Sequence, residues 1–314
     1  MTKFAFIFPG QGSQFIGMGK DLAEAFPEAK AVFDEVDDAL GQKLSDLIWS
    51  GDEDELKLTS NTQPALMAVS IAAMRALETK GLSAADAAFV AGHSLGEYSA
   101  LAAAGSIAVG DAARVLRIRG NAMQAAVPAG KGAMAALLGA DPEQAKSLCA
   151  IGSSEGGVCE IANDNAPGQI VISGDKAAIE LAASKVSEVG VKKAMLLPVS
   201  APFHCSMMQS AADQMLKALA EIEIKAPSAP LIANVTADVT TDPDAIRRQL
   251  VEQVTGQVRW RESVMYMASQ GVELTVEAGA GKVLTVMNRR TAKDLEGLTL
   301  GTPEEVESVA ERLS

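Results

Sequence analysis

The chain has 314 residues, of which 48% are hydrophobic and 4% aromatic, and its 27 basic and 40 acidic side chains give a formal net charge of −13. This apolar fraction argues against an intrinsically disordered chain, and the acidic balance argues against a nucleic-acid partner, because phosphate binding requires clustered cations. Three cysteines without a CxxC spacing argue against a disulfide framework or a zinc site. We expect a globular cytoplasmic protein, since the sequence shows neither a secretory signal nor an uncharged apolar run of about 18 residues.

Short apolar runs alternate with longer helical patterns in the first part of the chain. Residues 3–8 are typical of a buried strand, and residues 64–80 are typical of a helix with Thr62 as its N-cap. A second short strand over residues 87–91 leads into an alanine-rich helix. This alternation predicts an α/β fold with a mostly parallel sheet.

The pattern changes over residues 130–197. Four predicted strands and two predicted helices follow one another there in the order β-α-β-β-α-β, which is a unit that can close its own core. The strands are predicted at 133–138, 158–162, 169–173 and 193–197, and the helices at 142–149 and 175–189. We predict that this segment forms a small domain inserted into a large one made of residues 1–129 and 198–314.

A glycine-flanked serine lies between the second predicted strand and its helix. The segment Gly92-His93-Ser94-Leu95-Gly96 fits the pattern G-x-S-x-G in the strand–turn–helix context that this motif requires. Such a turn exposes the serine hydroxyl at a helix N-terminus, where main-chain N–H groups stabilise a tetrahedral oxyanion. The alternative is a structural glycine turn, but the context favours a nucleophile.

A serine nucleophile needs a base, and the chain contains two histidines. The side chain of His93 is expected to point away from that of the adjacent Ser94. His204, after a predicted strand and at the start of a helix, is therefore the candidate base, although a lone histidine is more often a satisfied core residue. No acidic residue occupies an obvious triad position between Ser94 and His204, so the orienting group need not be a carboxylate.

One arginine lies on the apolar face of the helix predicted over residues 111–127. Arg119 shares that face with Val115 and Met123, where an unpartnered guanidinium is costly. It either forms an internal salt bridge or acts as a planar clamp for a carboxylate ligand. Beside a serine nucleophile we favour the ligand.

Two glycine-rich segments resemble nucleotide-binding motifs, but each departs from its pattern. Residues 10–15 carry Phe15 where a dinucleotide fingerprint has its third glycine, and residues 279–282 are followed by Val283 where a P-loop has Ser or Thr. We expect no nucleotide site at either segment. Gln11 in the first segment is instead a candidate for a second oxyanion-hole N–H group.

Six motifs occur in a fixed order along the chain, at residues 8–14, 62–66, 92–98, 119–120, 163–169 and 202–204. Together they resemble the malonyl-CoA:acyl carrier protein transacylases of bacterial fatty acid synthesis, over essentially the full length. The resemblance implies a hydrolase-like α/β core carrying a ferredoxin-like small domain, with the active site in the cleft between them.

The resemblance also implies residue roles. Ser94 would be the acyl-accepting nucleophile, His204 its base, and Arg119 the ligand of the malonyl carboxylate. The main-chain N–H groups of Gln11 and Leu95 would form the oxyanion hole.

Four further positions carry expectations. The main-chain carbonyl of Gln253 is expected to orient the catalytic histidine, and Met123, Asn165 and Phe203 are expected to contact the substrate. Phe203 stands where the bacterial enzymes often have a small residue, which predicts a narrow pocket that favours malonyl over α-branched acyl groups.

The activity implied is transfer of the malonyl group of malonyl-CoA to the phosphopantetheine thiol of acyl carrier protein, by a ping-pong mechanism through a malonyl-serine ester. We expect a monomer without resident cofactor, metal or membrane association. A polyketide-type acyltransferase, a serine thioesterase or esterase, and a non-enzymatic carrier-protein binder are the alternatives. An arginine on an apolar face argues against the hydrolases, which need an apolar acyl pocket.

Overall fold

The strands of the chain form two separate β-sheets. The structure is a computed structural model that describes residues 2–199 and 201–314. The six-stranded sheet has the order β10-β9-β1-β2-β7-β8, and its neighbours are parallel except for the antiparallel pair β7–β8. Its strands are β1 (Phe4–Phe8), β2 (Phe89–Gly92), β7 (Leu231–Ile232), β8 (Val239–Thr240), β9 (Leu274–Ala278) and β10 (Glu296–Leu300).

The four-stranded sheet is antiparallel throughout, with the order β4-β5-β3-β6. Its strands are β3 (Gly132–Leu138), β4 (Cys159–Ala166), β5 (Gln169–Asp175) and β6 (Lys193–Leu196).

Helices fill most of the remaining described chain. They are α1 (Lys20–Ala25), α2 (Pro27–Leu40), α3 (Leu44–Ser50), α4 (Glu53–Lys57), α5 (Thr59–Glu78), α6 (Gly96–Ala103), α7 (Val109–Ala125), α8 (Pro142–Gly152), α9 (Lys176–Ser184), α10 (Gln209–Ala220), α11 (Pro243–Thr255), α12 (Trp260–Ser269), α13 (Val283–Thr291) and α14 (Pro303–Leu313). None of these helices combines the length and the apolar character that crossing a membrane would need.

Strand β1 lies in the middle of the larger sheet because both of its faces are apolar. Phe4, Phe6 and Phe8 face one hydrophobic cluster, and Ala5 and Ile7 face another. This two-residue alternation between two buried faces is expected of a parallel strand covered by helices on both sides. The predicted α/β fold with a mostly parallel sheet is confirmed.

Helix α5 begins earlier than the sequence predicts. Its N-cap is Leu58 and not Thr62, which lies inside the helix and donates its hydroxyl to the carbonyl of Leu56 at 2.6 Å. The prediction of Thr62 as N-cap was wrong because Pro64, which usually marks a first helical turn, lies in the second turn here. Gln63 therefore lies in the second turn of the helix.

The segment between β3 and β6 has the predicted element order. Strands β3 to β6 and helices α8 and α9 follow the pattern β-α-β-β-α-β, and the predicted helix over 175–189 is divided into α9 and a short 3-10 helix at Val186–Val189. The two helices enclose a core of their own, which includes Leu148 of α8, Ile179 of α9 and Leu137 of β3. The division of the chain into domains at residues 130 and 197 stays a prediction.

Candidate active site

The turn between β2 and α6 holds Ser94 in the left-handed region, with φ at 54°. Non-glycine residues rarely adopt this conformation, and it aims the serine side chain out of the turn. The flanking glycines are required by space, because a Cβ on Gly92 would lie 1.9 Å from the carbonyl oxygen of Gly96. A Cβ on Gly96 would lie 2.2 Å from the carbonyl oxygen of Phe8 on strand β1. The G-x-S-x-G spacing therefore packs this turn tightly against the end of the parallel sheet.

His204 reaches the serine from the other side of the site. Its Nε2 atom lies 2.8 Å from Ser94 Oγ, and its Nδ1 atom lies 2.8 Å from the main-chain carbonyl oxygen of Gln253. Since a carbonyl only accepts, Nδ1 carries the proton and Nε2 is free to accept from the serine hydroxyl. A main-chain carbonyl thus occupies the position that an acidic residue has in a triad.

The imidazole of His204 is poised as a neutral base. Burial and, to a smaller extent, the positive charge of Arg119 lower the pKa of His204 to about 3, although the hydrogen bond to Gln253 opposes both effects. At neutral pH the ring is therefore unprotonated and able to take a proton from Ser94.

Arg119 is the buried cation of the site, with 1% of its surface exposed. Its Nη1 atom donates to Oε1 of Gln63 at 2.8 Å, and its Nη2 atom donates to Oε1 of Gln253 at 2.9 Å and to Ser94 Oγ at 3.0 Å. These partners are neutral: Glu97 acts on the guanidinium electrostatically, but no carboxylate of the described residues forms a salt bridge with it. The charge of Arg119 is therefore left for a ligand.

Helix α7 brings Arg119 to this place by approaching α5 very closely. A Cβ on Gly120 would lie 2.5 Å from Cα of Ser60, so only glycine permits the contact. Gln63 of α5 then meets the guanidinium of Arg119 on the neighbouring helix. The Arg119-Gly120 pair thus combines a buried charge with the close packing that positions it.

These groups face a cavity of about 150 Å³. It lies between the two sheets, because its lining combines residues of the β2–α6 turn with residues of β3 and β4. The lining residues are Gln11, Gln63, His93, Ser94, Leu95, Arg119, Met123, Met134, Asn163, Leu197, Val199, Phe203 and His204.

The structure brings most of the residues singled out in the sequence to this cavity. Gln11, Leu95, Met123 and Phe203 all contribute to its lining. Among the residues that the structure describes, the main-chain N–H groups of Gln11 and Leu95 have no hydrogen-bond acceptor, so both are available to an oxyanion. Gln253 lies behind the cavity and is fully buried.

Asn165 is placed differently from the expectation. The cavity is lined on β4 by Asn163, two residues earlier, whereas Oδ1 of Asn165 lies 2.8 Å from Nε2 of His93. The ring of His93 is also tilted against that of Trp260, with centroids 5.9 Å apart. His93 and Asn165 thus join the serine turn to strand β4, and a substrate contact of Asn165 stays a prediction.

Sequence reasoning missed Asn234, although this residue holds the serine turn together. Its Nδ2 atom donates to the carbonyl of Gly92 at 2.6 Å, and its Oδ1 atom accepts from the main-chain N–H of Ser94 at 2.8 Å. Asn234 follows strand β7, which has two residues and is too short to show the alternation of apolar and polar residues that identifies a strand in a sequence.

Glu97 and Gln63 were also missed as members of the site, although both lie inside motifs that the sequence displays. Glu97 is buried in the first turn of α6, and its Oε2 atom accepts from Nε2 of Gln253 at 2.7 Å. The pKa of Glu97 is raised to about 7, because the effect of burial exceeds the opposing effects of the hydrogen bonds from Gln253 and Asn234 and of the charge of Arg119. The motif spacing locates these residues without showing which side chains they meet.

The arrangement is chemically that of a nucleophile, a base and an anion-binding group around one cavity. Ser94, His204 and Arg119 can attack an acyl carbon, take up the serine proton and bind a carboxylate on the acyl group. No group of three or more His, Cys, Asp or Glu residues in the described ranges could hold a metal ion.

Comparisons with known proteins agree with this chemistry. A model of the acyl transferase domain family matches residues 5–310 of the chain. A malonyl CoA-acyl carrier protein transacylase of Bacillus subtilis (strain 168) is 46% identical over 313 residues, covering 100% of this chain and 98% of that protein. An acyl-carrier-protein-S-malonyltransferase structure from Bartonella henselae is 55% identical, with a TM-score of 0.97 and 99% of each chain covered. A malonyl-transacylase solved in complex with a type II polyketide synthase acyl-carrier protein is 41% identical, with a TM-score of 0.95 over 99% of this chain and 100% of its own.

Proposed function

This chain belongs to the acyl transferase domain family, and from that premise we propose that it transfers the malonyl group of malonyl-CoA to acyl carrier protein in fatty acid synthesis. It is an acyltransferase, and its full-length relatives are named for this reaction. The acceptor is the phosphopantetheine thiol of the carrier protein.

The observation that carries the proposal is the buried guanidinium of Arg119. It lies 3.0 Å from the hydroxyl of Ser94 and lacks a carboxylate partner among the described residues. A buried unpaired cation is costly, and a malonyl carboxylate two carbons from the thioester carbonyl would supply the missing anion. A thioesterase acting on neutral acyl chains would have no use for that charge.

In the first half-reaction the acyl group moves to the enzyme. Ser94 Oγ attacks the thioester carbon while Nε2 of His204 takes the hydroxyl proton, and the carbonyl oxygen becomes an oxyanion held by the N–H groups of Gln11 and Leu95. The intermediate collapses by breaking the carbon–sulfur bond, and His204 returns the proton to the departing coenzyme A thiol. The product is a malonyl ester of Ser94.

In the second half-reaction the carrier protein takes the acyl group. His204 accepts the proton of the phosphopantetheine thiol, whose sulfur attacks the ester carbon of malonyl-Ser94. Cleavage of the ester carbon–oxygen bond regenerates the serine hydroxyl with the proton held on His204. The cavity of about 150 Å³ supports preference for this thiol over bulk water, since a narrow site limits solvent access.

The remaining expectations extend the proposal. Met123 and Phe203 shape the acyl pocket, Asn165 supports it through His93, and residues 130–197 form the small domain that closes one side. The enzyme works as a cytoplasmic monomer without resident cofactor. A monomer suffices for the site, because Ser94, His204 and Arg119 come from one chain.

A covalent-loading experiment tests the function. Incubation with malonyl-CoA and no acceptor is expected to add one malonyl mass to the intact protein, at the peptide that contains Ser94. The variant Ser94→Ala is expected to stay unmodified while keeping the fold. Wild-type protein without the added mass would exclude the malonyl-serine mechanism.

An acceptor competition identifies the pathway. Malonyl-loaded enzyme is expected to lose its added mass to a fatty-acid-synthesis carrier protein bearing phosphopantetheine and to keep it with the unmodified carrier protein. Since one similar enzyme was solved with a polyketide carrier protein, faster transfer to that carrier would assign the chain to polyketide synthesis instead.

A further inference from the structure

Gln253 contacts both the base and the cation of the site. Its main-chain carbonyl accepts from Nδ1 of His204 at 2.8 Å, and its side-chain Oε1 atom accepts from Nη2 of Arg119 at 2.9 Å. The first contact orients the base, and the second orients the group that would bind the malonyl carboxylate. The side-chain contact is useful only if the amide presents its oxygen, and not its NH₂ group, to the guanidinium.

The surroundings of the Gln253 amide decide which way it faces. Its Nε2 atom donates to Oε2 of Glu97 at 2.7 Å and to the carbonyl of Ser94 at 3.0 Å, and Oδ1 of Asn234 lies 3.3 Å away. All three atoms act as acceptors here. A flipped amide would set its carbonyl oxygen against these acceptors and its NH₂ group against Arg119, which itself only donates.

Glu97 is the member of this group that enforces the orientation most strongly. Its carboxylate is 1% exposed and forms the shortest of the three contacts to Nε2, and a charge-assisted hydrogen bond is about twice as strong as a neutral one. Its place is fixed by the N–H of Asn234, which donates to the same oxygen at 3.2 Å. Above its pKa of about 7 the group is ionised and cannot donate, so it then accepts one orientation of the amide only.

We propose that Glu97 is a positioning residue for malonyl selectivity, which fixes the side-chain amide of Gln253 so that its oxygen holds Arg119 toward the acyl group. Glu97 does not touch the substrate in this proposal; it acts through Gln253. The inference rests on the proposed function, because it assigns the purpose of the network to a carboxylate-bearing acyl group.

The test compares loading of Ser94 by malonyl-CoA and by acetyl-CoA, which lacks the carboxylate. Assays run at pH 8, above the pKa of about 7 of Glu97, so that the carboxylate is ionised. In Glu97→Gln, the charge-assisted hydrogen bond to Nε2 of Gln253 becomes a neutral one that is about half as strong, which loosens the orientation of the Gln253 amide. We expect the malonyl-to-acetyl ratio of kcat/KM to fall about tenfold, mainly through a higher KM for malonyl-CoA.

Glu277→Gln is the matched control. Glu277 is also fully buried and accepts two main-chain N–H groups, those of Leu284 and Thr285, at the start of α13. This variant is expected to lower the melting temperature and to leave the malonyl-to-acetyl ratio unchanged. If the malonyl-to-acetyl ratio fell equally in both variants, the cause would be a general loss of stability, and the proposal would be overturned.

A double variant tests whether Glu97 acts through Gln253. Gln253→Met keeps the main-chain carbonyl that orients His204 and removes the amide. If Glu97 acts only through that amide, Glu97→Gln is expected to lower the ratio no further in the Gln253→Met background. Effects that multiply in the double variant would overturn the proposal.

The outcomes separate this inference from the proposed function. Wild-type protein that does not load malonyl at all would remove the function, whereas normal loading with an unchanged ratio in Glu97→Gln would remove only the role of Glu97. If Glu97→Gln does not fold, Gln253→Met decides, because a ratio equal to that of the wild type would show that the amide does not hold Arg119.

Discussion

Two arginines of the chain contrast in how their charges are met. Arg261 of α12 makes a two-pronged contact with Asp164 of β4, with Nε at 2.9 and 3.0 Å and Nη2 at 2.7 Å from the carboxylate oxygens. Arg119 is more deeply buried, yet its described partners are neutral amides, a hydroxyl and the ring of Tyr98, whose centroid is 5.6 Å away. An arginine neutralised within the chain connects two elements, whereas one left with its charge serves a ligand.

The environment of each arginine supports this distinction. The contact of Arg261 lies where β4 is bonded to residues before α12, since Val258 donates to the carbonyl of Ala162 at 2.8 Å and accepts from the N–H of Asp164 at 2.9 Å. Arg261 therefore strengthens the junction between strand β4 and helix α12. Arg119 lines the cavity beside Ser94 and links α7 to α5 and α11 through neutral amides, so its positive charge stays available to a ligand there.

The largest expected effect comes from removing the ligand-binding charge. Arg119→Ala is expected to lower kcat/KM for malonyl loading by about 100-fold or more, since a charged hydrogen-bonded pair contributes about 3 kcal/mol, and to lower acetyl loading far less. Steady-state loading with both thioesters measures the two losses. Arg114→Ala, on the exposed side of the same helix, is the control, and equal losses for both acyl groups would make Arg119 a structural residue.

The second expected effect falls on stability and not on selectivity. Arg261→Ala leaves the carboxylate of Asp164, which is 3% exposed, without its cation, and this is expected to lower the free energy of unfolding by roughly 1–3 kcal/mol. Urea denaturation measures the change. The malonyl-to-acetyl ratio should stay at the wild-type value, and a shift as large as that of Arg119→Ala would erase the contrast between the two arginines.

A smaller effect concerns Phe203, an apolar residue of the cavity lining. Phe203→Ser is expected to relax discrimination against methylmalonyl-CoA by about tenfold, because one methyl group in a tight pocket changes binding by roughly 1–3 kcal/mol. The ratio of malonyl to methylmalonyl loading measures it. An unchanged ratio would show that the selectivity depends on the Arg119 side of the pocket.

The smallest expected effect is a shift in pH dependence. Because burial and the charge of Arg119 hold the pKa of His204 at about 3, the base stays neutral as the pH falls through 6.5, and acetyl loading should persist below that pH. In Arg119→Ala the positive charge is removed, so the pH at which acetyl loading falls should rise toward 6.5. Arg261→Ala should leave that pH unchanged. A wild-type enzyme whose acetyl loading already falls near pH 6.5 would contradict a His204 pKa lowered by burial.

Structural features can be predicted from the sequence where their physical cause lies in residues that are close together in the chain. The run of apolar residues in β1, the glycine spacing around Ser94 and the position of Arg119 on an apolar helix face all follow from near neighbours in the chain. Such features predicted the fold class and the cavity-facing position of most candidate residues.

The rest depends on contacts between distant segments, which a single sequence does not display. Asn234 meets a turn 140 positions away, from the end of a strand too short to show a period. Asn163 and Asn165 lie in one motif and would share one face of a regular strand, but the pairing of β4 is irregular between Asp164 and Ala166, which the sequence does not show. The two possible roles of Arg119 could likewise be separated only by finding which carboxylates lie near it.

The left-handed backbone of Ser94 has a consequence for directed evolution. Glycine adopts φ near 54° without the steric cost that serine carries, so Ser94→Gly relieves strain at the nucleophile while deleting it. A library selected for heat resistance alone would therefore enrich a catalytically dead protein at this position. Laboratory improvement of this fold needs a screen in which survival requires turnover.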